Sequence, residues 1–167
     1  SEMCIRDRIY TMHKSFRMPA EWTSHNGTEL HWPHNTDTWP GERLARVRAV
    51  YLNIIKALNG FDQVHLFVNN EKNQYQVKEL LKLNGISEGG VTFHLKKTND
   101  TWARDCGPIF VRNDKGQFAI TNWEYNAWGE KYPPFNDDNE IPDYLARKYN
   151  ITPVSYTHLT LPTIYSV

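Results

Sequence analysis

Two amphipathic helical patterns, each followed by a short strand pattern, constrain this chain more than any other feature of its sequence. Within residues 44–58 apolar side chains recur three and four positions apart, which predicts a helix with one buried face. Residues 63–69 then alternate apolar and polar side chains, as a half-buried strand does. A weaker helix over 72–83 and a strand over 91–97 repeat that order. Strands that alternate with helices predict an α/β domain.

Turn residues support these boundaries. Gly60 and Gly85 stand where glycine commonly ends a helix. The remaining predicted elements are a strand over 28–33, a hairpin of strands over 108–112 and 117–123, and a helix over 141–149 with Asp138 or Asn139 as its cap. The face of the first helix that we expect to be buried is Leu44, Val47, Tyr51, Ile54, Ile55 and Leu58.

The two ends of the chain are consistent with one DNA sequence translated from opposite strands. The codons ATG TGT ATA AGA GAC encode Met3–Asp7, and their reverse complement GTC TCT TAT ACA CAT encodes Val154–His158. That sequence resembles an adapter used in sequencing libraries, and such scars are set aside before fold reasoning. Met12 or Met18 is then the candidate start. We expect adapter translations at 1–8 and 154–167, and a truncated protein domain at 9–153.

Charge and cysteine content exclude several classes of function. Lys and Arg together number 19, as do Asp and Glu, so the net charge is zero. A neutral chain lacks the basic surface that binds nucleic acid or an anionic membrane. No apolar run reaches the roughly 18 residues of a membrane span. With Cys4 set aside, Cys106 is the only cysteine, so we expect no internal disulfide and a reducing, cytoplasmic setting.

The segment Trp102–Pro108, WARDCGP, carries the densest candidate chemistry. Cys106 could be a nucleophile beside a charged pair, but no local histidine could serve as its base. On an extended segment it would also face away from Asp105, so we favour a small, half-buried structural residue. Asp105 and Trp102 lie three apart, and in a turn they could share one side. A carboxylate beside an indole suits a planar guanidinium ion. Arg104 and Asp105 as plain surface charges remain the alternative.

Two further segments carry candidate functional residues. His25, His31 and His34 do not follow the spacing of a recognised zinc site, and no cysteine lies near them in sequence, so we predict no metal there. The aromatic segment Trp123–Pro134 is either a simple loop or a wall over a flat substrate.

Three ordered segments carry a family resemblance. Arg17–Gly41, Asn99–Val111 and Trp123–Pro142 resemble the agmatine deiminase family, which is closely related to the porphyromonad-type peptidylarginine deiminases. The resemblance implies a pentein fold, a five-bladed α/β-propeller of ββαβ units around a central site. This chain would supply its first modules, as the N-terminal portion of the deiminase domain. The resemblance implies no metal and no organic cofactor.

The resemblance also assigns roles. In this family a cysteine attacks the guanidinium carbon, ammonia leaves, and water hydrolyses the thiouronium intermediate, while a histidine moves protons and two carboxylates hold the guanidinium. The family's W-x-R-D motif falls on residues 102–105. Asp105 would then be one of the two carboxylates and Trp102 a wall of the cleft. Trp123 and Asn126 would line its entrance.

Other residues of the motif receive structural roles, or none, from the resemblance. Arg104 and Gly107 are expected to be structural, and Cys106 does not occupy the position of the family nucleophile. The family segments that carry the nucleophilic cysteine and the proton-moving histidine are not found in this chain. The chain alone is therefore expected to be inactive.

The favoured function of the parent protein is hydrolysis of agmatine to N-carbamoylputrescine and ammonia, in polyamine synthesis. The first alternative is deimination of arginine within peptides, and the second is a noncatalytic module that binds guanidinium or amine groups. The expected partner is a small guanidine substrate, without nucleic acid or membrane. A homo-oligomeric parent is left open.

Overall fold

The structure is a computed structural model that describes residues 16–20 and 22–155. The predicted adapter segment 1–8 lies outside these residues, as does 154–167 beyond Ser155. The elements in chain order are β1 Phe16–Arg17, β2 Thr28–His31, α1 Glu42–Leu58, β3 Val64–Val68, α2 Glu71–Leu83, a 3-10 turn Glu88–Gly90, β4 Val91–Leu95, α3 Ala103–Cys106, β5 Ile109–Asn113, β6 Phe118–Asn122, α4 Ala127–Glu130, α5 Asn136–Asn139, α6 Ile141–Tyr149 and β7 Thr152–Ser155.

These elements form two compact units. The three-stranded unit comprises Trp22–Gly107 and Glu124–Ile141, and the described residues of the four-stranded unit are 16–20, Pro108–Trp123 and 142–155. Each unit has its own sheet, and neither sheet closes on itself within the described residues. The α/β class predicted from the alternating patterns is confirmed.

The sheet of the three-stranded unit is parallel, in the order β2-β3-β4. α1 connects β2 to β3 and α2 connects β3 to β4, which is the crossover that parallel neighbours require. Gly60 and Gly85 follow the two helices with φ of 93° and 65°. Glycine adopts these left-handed values without the steric cost that a Cβ imposes, so both helix ends are confirmed.

One face of this sheet packs against the helices and forms the main core. Val64, Leu66 and Val68 alternate along β3 and are buried. The buried members of the core are Trp32, Leu52, Ile55, Val64, Leu66, Val68, Val77, Leu81, Ile86 and Val91. One detail of the predicted helix face is wrong: Ile54 is 37% exposed and Leu52 is buried in its place. The face of α1 is thus rotated slightly from the one predicted.

The opposite face of the same sheet carries polar and aromatic side chains. His31, Phe67 and His94 occupy one row across the three strands, and all are fully buried. The Phe67 and His94 rings stack at 4.6 Å, and His94 Nε2 lies 3.1 Å from His65 Nδ1. Buried imidazoles require hydrogen-bonding partners, so this face is built for polar contacts.

The four-stranded unit has the sheet order β1-β5-β6-β7. β5 and β6 form the predicted antiparallel hairpin, and β6 pairs with β7 in parallel. Val154 and Ser155 pair with Thr121 and Asn122, so β7 extends two residues past the predicted adapter boundary.

Two further findings concern the start of α6 and the length and polarity of the helices. Both candidate caps of α6 bond elsewhere: the Asp138 carboxylate accepts the backbone N–H groups of residues 99 and 100, and Asn139 Oδ1 accepts that of Tyr125. Across the described residues, no helix combines the length and apolar character that crossing a membrane requires.

Candidate active site

Residues 102–105, with the sequence WARD, form a helical turn. The Trp102 carbonyl accepts the backbone N–H groups of Asp105 and Cys106, each at 3.0 Å, and α3 follows. The extended conformation considered for this segment is therefore wrong. Backbone hydrogen bonds from residues i+3 and i+4 to residue i form the turn instead. Residues three apart on a helical turn are neighbours on its surface. This geometry lets Trp102 and Asp105 serve one site.

Trp102 belongs to a cluster of aromatic side chains in the three-stranded unit. Its ring centroid lies 6.5 Å from that of Trp39 and 5.3 Å from that of Trp128. We call this set the aromatic cluster; its members are Trp39, Trp102, Tyr125, Trp128, Tyr132 and Phe135. Most of the contacts are edge-to-face, the arrangement that aromatic quadrupoles favour. The Trp39 indole N–H is buried without an acceptor among the described residues.

A left-handed turn presents Trp128 to this cluster. Ala127, Trp128, Gly129 and Glu130 have φ between 48° and 78°. Left-handed geometry costs roughly 1–2 kcal/mol for each residue with a Cβ. The Asn126 side chain accepts the Gly129 N–H at 3.0 Å and so holds the turn. Backbone strain of this kind is found more often at functional sites. The turn holds Trp128, whose side chain is 50% exposed.

Two aspartates beside Trp102 have different environments. Asp105 is exposed, and no described residue donates a side-chain hydrogen bond to it. Asp100 is 6% exposed and accepts hydrogen bonds from the Thr38 hydroxyl, the Asn35 amide at 3.4 Å and the Thr101 N–H at 2.8 Å. Asp100 is thus used in holding the loop, whereas the Asp105 carboxylate is accessible to a cation.

The loop before α3 is anchored at several points. Asn99 Oδ1 accepts the N–H of Asp138 at 3.1 Å, and Asp138 Oδ1 accepts the N–H of Asn99 at 2.7 Å. The Thr98 N–H donates to Asn69 Oδ1 at 3.0 Å, and the Thr98 hydroxyl lies 3.2 Å from His34 Nε2. Burial lowers the pKa of His34, which favours the neutral imidazole. These contacts position the turn that carries Trp102 and Asp105.

Cys106 is fully buried, at 2% exposure, and its thiol donates to the Trp102 carbonyl at 3.1 Å. Burial, together with the carboxylates of Asp138 and Glu29, raises the pKa of the Cys106 thiol. A nucleophilic cysteine requires the reverse, a lowered pKa with access to substrate. The interpretation of Cys106 as a structural residue therefore fits its environment.

The other residues predicted for the site lie as follows. Gly107 ends α3, and a Cβ on it would lie 2.3 Å from the Ala103 carbonyl oxygen, which explains glycine at this position. Arg104 is exposed on α3. Asn126 caps the left-handed turn. Trp123 belongs to the four-stranded unit, where its indole N–H donates to Thr121 Oγ1 at 2.8 Å.

Sequence reasoning did not single out Trp39 or Trp128. Their signal was the number of tryptophans, six in the chain, but spacing alone could not show which of them meet. Trp39 and Trp102 lie 63 positions apart, and their contact depends on the fold of the intervening βαβ units.

Comparisons with known proteins show the family to which the chain belongs. The sequence model of the Porphyromonas-type peptidyl-arginine deiminase family matches residues 17–162. The chain belongs to this family.

Several individual relatives within this similarity are named agmatine deiminases. Two proteins named "Putative agmatine deiminase", from Legionella pneumophila and Lactococcus lactis, are 34% and 33% identical to the chain over 87% and 80% of its length. The solved agmatine deiminase of Enterococcus faecalis is 26% identical, with a TM-score of 0.74 over 87% of this chain and 39% of that one. A solved agmatine deiminase from C. jejuni, at 23% identity and a TM-score of 0.68, shares the fold. The chain spans 39% and 34% of the length of the two curated relatives.

Proposed function

We propose that the full-length protein is a hydrolase that deiminates agmatine to N-carbamoylputrescine and ammonia. The observation that carries the proposal is the α3 turn, where an exposed carboxylate, Asp105, follows an indole, Trp102, that lies within the aromatic cluster. Membership of a deiminase family supports the same chemistry. The names of the relatives favour agmatine as the substrate.

The role of this site is to bind and orient a guanidinium ion. The guanidinium group is planar and stays protonated at neutral pH. Asp105 would accept its N–H groups, and Trp102 would cover one of its faces through cation–π contact. The bound cation would then be held for attack by a thiolate, with loss of ammonia and hydrolysis of the thiouronium by water, as the family resemblance implies.

We propose that the present chain holds one wall of the active site. The nucleophilic cysteine and the proton-moving histidine are assigned to the part of the family that this chain does not span, and five ββαβ blades would complete a pentein propeller. The 167-residue chain is therefore expected to release no ammonia from agmatine. Measurable product above a no-protein control would contradict this assignment.

The proposal also covers the ends of the chain. Segments 1–8 and 154–167 are proposed to be adapter translations, although β7 includes Val154 and Ser155 and the family match reaches residue 162. Sequencing the genomic locus tests this directly. Genomic DNA that encodes the same residues after Pro153 would show that they are native.

The experiment that tests the substrate uses the full-length protein recovered from that locus. Purified protein is incubated with agmatine, and ammonia and N-carbamoylputrescine are measured together. We expect the two products in equal amounts. Absence of both, from a folded protein that also leaves arginine peptides unchanged, would favour the noncatalytic guanidinium-binding module.

Peptidyl-arginine is the second candidate substrate, and the name of the matched family favours it. The same protein is therefore offered a short peptide with an internal arginine, and citrulline is measured. A kcat/KM higher on the peptide than on agmatine would assign the protein to that branch.

A further inference from the structure

A buried group of metal-binding side chains lies within the three-stranded unit. An imidazole nitrogen of His31, Cys106 Sγ and a carboxylate oxygen of Asp138 lie within 4.8 Å of one another, and all three residues are buried. They come from three separate elements, β2, α3 and α5. We call them the His-Cys-Asp cluster. None of them has a role in the proposed binding of guanidinium.

A second observation points to a ligand at this cluster. His31 is 0% exposed, its Nε2 lies 2.8 Å from Glu29 Oε1, and its Nδ1 has no partner among the described residues. A buried nitrogen without a hydrogen bond is costly. The pairing with Glu29 is also the arrangement found around metal-bound histidines, whose second nitrogen usually meets a carboxylate or a carbonyl.

The buried charge in the cluster also indicates a site for a cation. Asp138 is 1% exposed; its Oδ1 accepts the backbone N–H groups of Asn99 and Asp100, but none of the ion pairs between described residues includes it. Buried carboxylates are normally paired with a cation or bound to a metal. The Asp138 carboxylate is therefore a buried anion without an ion-pair partner among the described residues, next to the unpaired nitrogen of His31.

We propose that His31, Cys106 and Asp138 bind a zinc ion that joins β2, α3 and α5. Sulfur, nitrogen and oxygen ligands together suit zinc, and three protein ligands leave one tetrahedral position open. The thiol proton passes to the solvent on binding, because the thiolate is the ligand. Glu29 would orient His31 from outside the first coordination sphere. The ion would stabilise the α3 turn, and this role does not depend on which substrate the protein uses.

Sequence spacing could not reveal this cluster. His31 and Cys106 are separated by two βαβ crossovers, and Asp138 follows a further loop. The histidine group considered from sequence, residues 25, 31 and 34, contributes only His31.

The test uses the whole chain without a histidine tag, stripped of metal by a chelator. Zinc is titrated against a chromophoric competitor, and cobalt is added to a second sample for its absorption spectrum. We expect one ion per chain, a thiolate-to-cobalt charge-transfer band, and a higher thermal unfolding midpoint when zinc is bound. A folded wild-type chain that binds no zinc, or that binds cobalt without the thiolate band, overturns the proposal.

Variants assign the ligands. Cys106→Ser keeps a donor for the Trp102 carbonyl and is expected to weaken zinc binding by more than about 100-fold, beyond the effect of losing an outer partner. Glu29→Gln should weaken it about 10- to 100-fold. Cys4→Ser is the matched control and should leave the affinity unchanged. Equal affinity in Cys106→Ser and the wild type would refute the site, and if Cys106→Ser fails to fold, the wild-type cobalt spectrum decides.

Discussion

At the scale of single residues, backbone contacts around α3 decide which side chains are tolerated. Gly107 lies against the Ala103 carbonyl because α3 ends in a tight turn. A residue with a Cβ could be accommodated there only by moving backbone. By contrast, Gly89 has only ordinary contact with a side chain, at 3.5 Å from Ser87 Oγ. Substitution of Gly89 is therefore a control for substitution of Gly107.

Gly107→Ala should destabilise the protein by about 1–3 kcal/mol, the usual cost of forcing an extra carbon into a packed site. The free energy of unfolding in urea measures this. Gly89→Ala is the control and should change the free energy by less than about 0.5 kcal/mol. Equal effects of the two substitutions would show that the close approach to Ala103 carries no energetic consequence.

His34 and His25 should give opposite pH dependences of stability. Burial lowers the folded-state pKa of His34, so the unfolded chain binds more protons as the pH falls below about 6.5. The stability contributed by neutral His34 is present above that pH and is lost as the pH falls through the folded pKa. Hydrogen bonds to the Thr23 carbonyl and Asp62 raise the pKa of His25. Its contribution is present at low pH and is lost as the pH rises through the folded pKa.

The measurement is urea unfolding at several pH values between about 5 and 8. His34→Gln should make the loss of stability on acidification shallower than in the wild type. His25→Gln should make it steeper. A slope unchanged by His34→Gln would mean that His34 is accessible to solvent protons in the folded state.

At the scale of elements, the local patterns of the sequence predicted the helices and strands, but not the turn that presents Trp128. The apolar period of α1 and the alternation in β3 are properties of neighbouring residues, so they can be recognised from sequence. The left-handed turn of α4 opposes the preference of alanine, tryptophan and glutamate for negative φ. Only its surroundings, including the Asn126 side chain, hold it. The contacts among Trp39, Trp102 and Trp128 likewise arise from tertiary packing.

Glycine at position 130 should relieve part of the strain in this turn. Glu130 is exposed with φ of 62°, whereas the next residue, Lys131, is exposed with right-handed helical geometry. Glu130→Gly should leave the free energy of unfolding unchanged or raise it by up to about 1 kcal/mol. Lys131→Gly should lower it by about 0.5–1 kcal/mol. Thermal unfolding of both variants, compared with the wild type, measures the difference.

The left-handed turn predicts that Glu130→Gly is more stable than Lys131→Gly. If Glu130→Gly were destabilised as much as Lys131→Gly, the left-handed geometry of α4 would not describe the protein in solution. The comparison is controlled because both positions are exposed neighbours that receive the same new residue.

At the scale of the whole molecule, the candidate site belongs to the unit that contains the parallel βαβαβ sheet. The polar face of that sheet carries His31, and α3 carries Trp102 and Asp105. The chain belongs to a deiminase family and covers 39% of the Enterococcus faecalis enzyme. We propose that the rest of the full-length protein supplies the reacting groups. The W-x-R-D motif was recognisable in the sequence because its residues are contiguous.

The role of Asp105 in binding guanidinium is tested by kcat/KM for agmatine in the full-length protein with Asp105→Asn. The amide is nearly the same size but lacks the charge. In the complete site we expect bound guanidinium to enclose the Asp105 carboxylate, and removing one partner of a buried charge pair costs about 2–5 kcal/mol. At about 1.4 kcal/mol per tenfold change, kcat/KM should fall at least about tenfold. Asp37→Asn, an exposed aspartate of the same unit, is the control and should retain wild-type activity. If Asp105→Asn kept the activity of that control, Asp105 would not hold the guanidinium, and the proposed binding site would be wrong.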